Sequence, residues 1–430
     1  MQKLLFTAAL LLALAEGLET ASAQAPPPGR FDVRSLGATG NGTNKDTAAF
    51  QKALDACAAA GGGEVVAPAG QYLIGSIVLS SHTTLRLEPG ATLLGSPDAE
   101  DYPLIQVRWE GRLREGHRAL IHATNATQVA IVGQGAIEGS AALGSLRSPR
   151  GPCLIEPMEC KEVLLEGFST KFVRLWSIHL AFCDGVVARN LTIRSTASNG
   201  DGIDVDSCKH VRIEHCDIDT GDDAIAIKSG RGAEGVRIGR PTEEVVITNC
   251  TLGSGYAGVA IGTELSGGIR NVVMEDCAFT RGANSIYIKS RTDRAGFIEG
   301  ITGRNLDCRA STFLVIDLLD KGIRDEEPIN GSDGLTQAGQ ITFSNIKVNV
   351  PTLLDARLLS PDKPLDGLSI SNVTGTCRHA INLANIRNAT LRDIHVTGYN
   401  GVFLTTTNVT GLEKITSPDD TFTSPPAKVP

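Results

Sequence analysis

Seven aspartates, Asp201, Asp204, Asp206, Asp217, Asp219, Asp222 and Asp223, crowd the stretch from Ser198 to Gly230, whose other residues read as core strand. A buried strand cannot hold that many unpaired carboxylates, because each would be desolvated without compensation. Either most of them face water or some are gathered for chemistry. Carboxyl groups held close together raise one another's affinity for protons. One can then be a proton donor while another is an acceptor, the division that general acid–base catalysis requires. Hydrolysis of a glycosidic bond uses such a pair, with the carboxyls roughly 6.5–9.5 Å apart when a water attacks with inversion.

Aligning the strand after each turn (DGIDVDS, DDAIAIKS, YAGVAIGT, NSIYIKS) puts Ile203, Ile225, Val259 and Ile286 in one inward column. Asp201 then sits above Asp223, and Asp222 shares a column with Gly200 and Tyr256. Asp206, Lys228, Gly262 and Lys289 form an outward column, with Tyr287 two residues before Lys289. Parallel strands lie about 4.8 Å apart, so Asp201, Asp222 and Asp223 are expected to cluster beside two lysines and two tyrosines. Asp217 and Asp219 read as turn-stabilising side chains, and Asp204 and Asp206 as solvated or substrate-facing ones.

A repeat must position these residues. From about Val129 one phrase recurs, alternating Val/Ile followed by Asn or Asp and often Cys, as in KHVRIEHCDI, EEVVITNCTL and RNVVMEDCAF. Its irregular spacing falls within the roughly 20–50-residue range of repeat architectures. Period-two alternation between Gly/Asn/Asp turns argues for short strands, and hence for a solenoid of parallel strands with loops inserted at its turns. A sandwich would not repeat in this way, and a doubly wound α/β fold would need helices that the gaps do not hold. Thr43 to about Ala60 reads as one amphipathic helix ended by glycines, covering the open end of the first coil. The Asn-x-Ser/Thr matches at Asn190, Asn249 and Asn372 read as turn residues rather than glycan acceptors. The ten cysteines read as small buried hydrophobes, most of them recurring at one place in the repeat, with a Cys208–Cys216 pair left open. No CxxC pair points to zinc.

The chain of 430 residues has a formal net charge of −8 and no basic stripe, which argues against a nucleic-acid partner. Lys3, the apolar run Leu4 to Ala15 and the small residues Ala21-Ser22-Ala23 predict a secretory signal over residues 1–23. That apolar run is too short to span a bilayer. Residues 24–30 then form a linker and 31–430 a single domain, secreted or periplasmic, expected to be a monomer with no membrane partner.

These motifs resemble glycoside hydrolase family 28, the polygalacturonases, over nearly the whole mature chain. The resemblance rests on FDVRSLGATGNGTNKDTAAFQKAL, on Trp176-Ser177-Ile178-His179, on Asn199-Gly200-Asp201-Gly202 and on Gly221-Asp222-Asp223. It implies an all-β, right-handed parallel β-helix, with Asp222 as general acid and Asp201 with Asp223 activating the attacking water. It also implies a pectic oligo- or polysaccharide substrate, with no metal or other cofactor. Asn199, Lys228, Tyr256, Tyr287 and Lys289 are the expected substrate contacts. Two positions depart from the family pattern: Tyr256 stands where a histidine normally supports the acid, and Tyr287 where an arginine joins the lysine in holding a galacturonate carboxylate. Arg for Tyr is not a neutral exchange at such a site, so a rhamnogalacturonan-type substrate is as well supported as polygalacturonan. Lys228, Arg291 and Arg294 are candidates for the missing charge. A polysaccharide lyase using Ca²⁺ on the same solenoid and a non-catalytic glycan-binding solenoid are the rival readings.

Overall fold

In the computed structural model, residues 29–143, 149–172, 175–320, 322 and 324–415 are described; the expected signal segment lies outside them. The expected solenoid is present. Thirty-two strands form one continuous sheet whose inter-coil pairings are parallel, the arrangement of a parallel β-helix. Each inward column is a stack of Ile, Val and Leu side chains, for example Ile178, Ile203, Ile225, Val259 and Ile286, all fully buried.

One corner keeps the coils in step. Gly133, Gly167, Asn190, His215, Asn249, Asp276, Asn305, Asn345, Asn372 and Asp393 occupy it in successive coils, and every one has a φ between 50° and 116°. Asn and Asp tolerate this left-handed conformation better than other non-glycine residues. This accounts for the recurring Asn, and Asn372 also donates to Asn345 on the coil before it at 2.7 Å. The ten cysteines are all buried and unpaired. They do not share one place: Cys160, Cys183 and Cys208 lie at one turn, while Cys216, Cys250 and Cys277 lie at another. Cys208 and Cys216 belong to different turns of the coil, and no bond joins them.

Helix α1 runs from Thr47 to Ala59, shorter than the expected 43–60. Its first residues were misread because Asn41–Lys45 is a strand and Asp46 turns its carboxylate back onto the Thr39 and Gly40 amides, at 2.7 and 3.0 Å. Phe50, Ala53, Leu54 and Cys57 bury one face. Gln51 then closes the edge of the strand Ile77–Leu79, which pairs with Ile121–Ala123 of the sheet that carries the site, accepting from Val78 N at 2.9 Å and donating to Val78 O at 3.2 Å. That removes the pairing hazard of an open edge.

A hairpin follows that was not expected, β1 (Leu104–Trp109) and β2 (Arg112–His117). Its two-residue turn has positive φ at both Glu110 (45°) and Gly111 (74°), as a tight hairpin demands. The sheet that carries the site is β3 (Ile121–Thr124), β4 (Ile155–Met158), β5 (Ile178–Ala181), β6 (Ile203–Asp206) and β7 (Ile225–Lys228). It continues through β8 (Ala257–Ile261), β9 (Asn284–Arg291) and β10 (Thr312–Asp320), each paired in parallel with the next. A second short helix, α2 (Gly232–Ile238), fills the insertion after β7.

Candidate active site

The column alignment made from sequence holds. β6 pairs with β7 through Ile203–Ile225 and Asp206–Lys228, and the ladder runs on as Gly202 N donates to Asp223 O at 3.0 Å. Asp201 therefore lies one coil from Asp223, with Asp222 beside it. Two glycines allow this approach. A Cβ on Gly202 would strike Ala224 O and Ile218, and one on Gly221 would strike the Thr196–Ala197 backbone.

The three aspartates line a cavity of about 140 Å³ together with Asn199, Lys228 and Lys289. Asp223 is fixed from two sides, accepting from Ala257 N at 3.1 Å and from Lys289 Nζ at 3.0 Å. Asp222 Oδ1 accepts from Asp223 N at 3.0 Å. Burial, then the charge of Asp223, pushes the Asp222 carboxyl up to about 6, against the opposing pull of Lys289 and Lys228. Asp201 is pushed well above the usual carboxylate range by burial and by Asp204, with Lys228 opposing. Two neighbouring carboxyls are thus biased toward the neutral form, and the one with a close ammonium contact at 3.0 Å is Asp223.

Asp204 and Asp206 are not solvated as expected; both are buried. Asp204 Oδ1 lies 2.6 Å from Lys228 Nζ. Asp206 receives Arg108 Nε of the hairpin at 3.1 Å and Gly230 N at 3.1 Å. For Asp206 the unforeseen hairpin and insertion are the reason, because they cover the strand end that sequence leaves bare. Lys228 is in the cavity wall, but Asp204, Asp201 at 3.7 Å and the Trp176 ring at 3.9 Å already surround its ammonium. Arg294 is committed to Asp293 and Asp325, at 3.0 and 2.8 Å. Arg291 reaches Asp320 at 3.2 Å, and neither arginine lines the cavity. Tyr256 and Tyr287 stand just beyond it, ring centres 5.7 Å apart, with Lys289 Nζ 4.7 and 5.3 Å from them. An aromatic pair thus flanks the ammonium at the two positions where the resemblance implies an imidazole and a guanidinium.

Four lining residues escaped sequence reasoning: Trp109 and Glu110 from the hairpin turn, and Thr263 and Glu264 after β8. Glu264 was within reach, since extending YAGVAIGT by one residue includes it. Its carboxyl is held below the usual range because Lys228 and Lys289 outweigh its burial. For the hairpin the signal was rarity, since both tryptophans of the chain face this cavity.

Behind it lies a buried column of outward-facing polar groups in register, His122, Glu156, His179 and Asp204. Glu156 accepts from Arg150 at 2.5 Å and contacts His179 Nδ1 at 2.9 Å. Burial works against its charge, but Arg150 and then His179 hold it down at about 2. Cys153, Glu156 and His179 offer ligand atoms within 4.8 Å of one another. Arg150 donates to both Cys153 Sγ and Glu156, and a guanidinium in that place leaves the cluster as an ion-pair core, unsuited to a cation.

Comparison with known proteins decides the family. The model for glycosyl hydrolases family 28 matches residues 57–400. The chain belongs to glycosyl hydrolases family 28. This family 28 hydrolase is 33% identical over 359 residues to a "Probable polygalacturonase" of Vitis vinifera, covering 79% of this chain and 72% of that protein. It is 30% identical over 370 residues to an endo-polygalacturonase of Pectobacterium carotovorum subsp. carotovorum, covering 79% and 86%. Among solved structures, the exopolygalacturonase of Thermotoga maritima superposes with a TM-score of 0.73 at 26% identity, covering 91% of this chain and 95% of that one. A family 28 glycosidase is thereby established over the lyase and binding-module readings.

Proposed function

We propose that this family 28 hydrolase is exported and cleaves glycosidic bonds of pectic polysaccharides with inversion, acting as a monomer without a metal ion. Asp222 serves as general acid, and Asp223 with Asp201 one coil away accepts the proton of the attacking water. The observation that carries the mechanism is the unequal environment of the carboxyls: Asp222 is biased toward its protonated form, while Asp223 is clamped by Lys289 and a backbone amide. That is the acid and acceptor division that glycoside hydrolysis uses, and the inverting outcome is what the family resemblance implies. The resemblance gives Asp201 and Asp223 a shared part in activating the water. With Asp201 favouring its neutral form through burial and Asp204, and Asp223 held by Lys289 and Ala257 N, Asp223 is the primary acceptor in this reading and Asp201 holds the water in place. The named relatives support a galacturonate-containing polymer as substrate, and the N-terminal pattern of residues 1–23 supports export.

The test is a panel of defined oligogalacturonides and rhamnogalacturonan oligomers, with the anomer of the fresh product read by NMR. Asp222→Asn keeps shape but removes the transferable proton, and should lower turnover roughly 10²–10⁴-fold with the fold unchanged. Full turnover in that variant, or retained anomeric configuration, would reject the mechanism. Ca²⁺-dependent activity yielding an unsaturated product would return the lyase.

A further inference from the structure

The cavity is closed on one side and open on the other, and the closure is built into the chain. On the side of the earlier coils, Trp109 of the hairpin packs on Trp176 with ring centres 4.9 Å apart, and Trp176 packs on His179 at 4.8 Å. Arg150 stacks on Trp109 and bonds Glu156 below it. Beneath this lid the sheet face that a longer glycan would have to follow is buried, His122 at 4% exposure and Glu156 and His179 at 0%. The hairpin is held down from several directions. Arg108 reaches Asp206 at 3.1 Å, Leu113 N reaches Glu234 of α2 at 2.9 Å, and Arg112 pairs with the buried Asp325. Arg231 and Arg294 bind that same carboxylate, at 2.6 and 2.8 Å.

On the side of the later coils nothing comparable covers the sheet among the described residues. The same outward column continues as Tyr287, Val315, Asp355 and Asn382, each partly open to solvent, and Tyr256 is 40% exposed. A space of about 140 Å³ is well below the roughly 300–1,000 Å³ that encloses a drug-sized ligand, and it suits a single sugar ring.

We infer that the cavity is a terminal subsite: the enzyme takes the end of a glycan chain, seats one sugar against the Trp109–Trp176 wall, and releases a monosaccharide at each cleavage. The inference rests on the proposed glycosidase reading and adds the mode of attack, which the named relatives leave open because they include both kinds. The experiment follows the full-length mature protein on polygalacturonan and on a rhamnogalacturonan polymer, and on purified oligomers of each. From the first minutes monosaccharide should be nearly the sole product, with reducing ends rising while polymer viscosity hardly falls. Early release of mixed oligomers with a steep viscosity drop would overturn the terminal subsite while leaving the hydrolase intact. No release from any pectic substrate would reject the underlying reading and this one with it. Trp109→Ala, checked for unchanged circular dichroism, should let longer products appear. Monosaccharide alone from that folded variant would show that Trp109 does not form the wall.

Discussion

At the scale of single residues, the site is short of free positive charge. Five acidic side chains line the cavity, Glu110, Asp201, Asp222, Asp223 and Glu264, against Lys228 and Lys289, and both lysines are already matched. Two predictions follow from this balance. Asp222 must carry its proton to act as an acid, and its carboxyl titrates near 6. The neutral form is therefore lost as pH rises through that value, and kcat should fall about tenfold per unit above it, as a proton-bearing acid requires. A pH–rate profile flat to pH 8 would contradict the assignment. The second concerns Tyr287. Replacing it by Arg adds a charge-assisted contact beside Lys289, worth about 1.5–3 kcal/mol for a hydrogen bond to a charged group, so kcat/KM on unmodified oligogalacturonide should rise at least about tenfold. If the same variant is slower on that substrate yet the wild type cleaves rhamnogalacturonan oligomers, the subsite beside Lys289 is built for a neutral sugar.

At the scale of elements, Asp325 is the keystone of the groove wall. Three arginines from the hairpin, the start of the α2 insertion and the segment after β9 converge on its fully buried carboxylate. Breaking such a pair leaves uncompensated buried charge and costs about 3–5 kcal/mol. Asp325→Ala should therefore speed amide exchange in residues 104–117 while the strands of the β-helix keep their protection, and unchanged exchange there would show that the hairpin stands without the brace. These same elements mark the limit of what sequence reveals. The strand columns were legible because pairing is parallel and in register, so Ile203, Ile225 and Val259 could be stacked on paper and the three aspartates came with them. The hairpin was not, because what places Trp109 in the cavity wall is Arg108 meeting Asp206 and Arg112 meeting Asp325, contacts across long stretches of chain that no local pattern announces. Asp206 was misjudged for the same reason, its solvent displaced by a segment nearly a hundred residues earlier, while Asp204 was misjudged because Lys228 of the next coil folds onto it. The start of α1 was missed because Asp46 spends its side chain on a loop.

At the scale of the whole molecule, stability comes from stacking each coil on its neighbours, and covalent cross-links play no part, since all ten cysteines are buried and unpaired. The fourth prediction is that a strong reductant leaves the thermal unfolding midpoint of the mature protein unchanged. A clear drop would reveal a disulfide and contradict the buried ladders. For a protein exported as proposed above this matters, because thiols kept from solvent are also kept from oxidants.

The left-handed corner has one more consequence. The distance from it to the next strand stays constant, as Gly133 to Ala136, Asn190 to Thr192 and Asn249 to Thr251 show to within a residue, while hairpin, α2 and the loop after β10 all enter beside the site sheet. Change in chain length is thus confined to the two turns that flank the substrate. A lineage carrying this architecture can trade one specificity for another by insertion and deletion without renegotiating its core, and the same separation gives a protein engineer a safe place to cut.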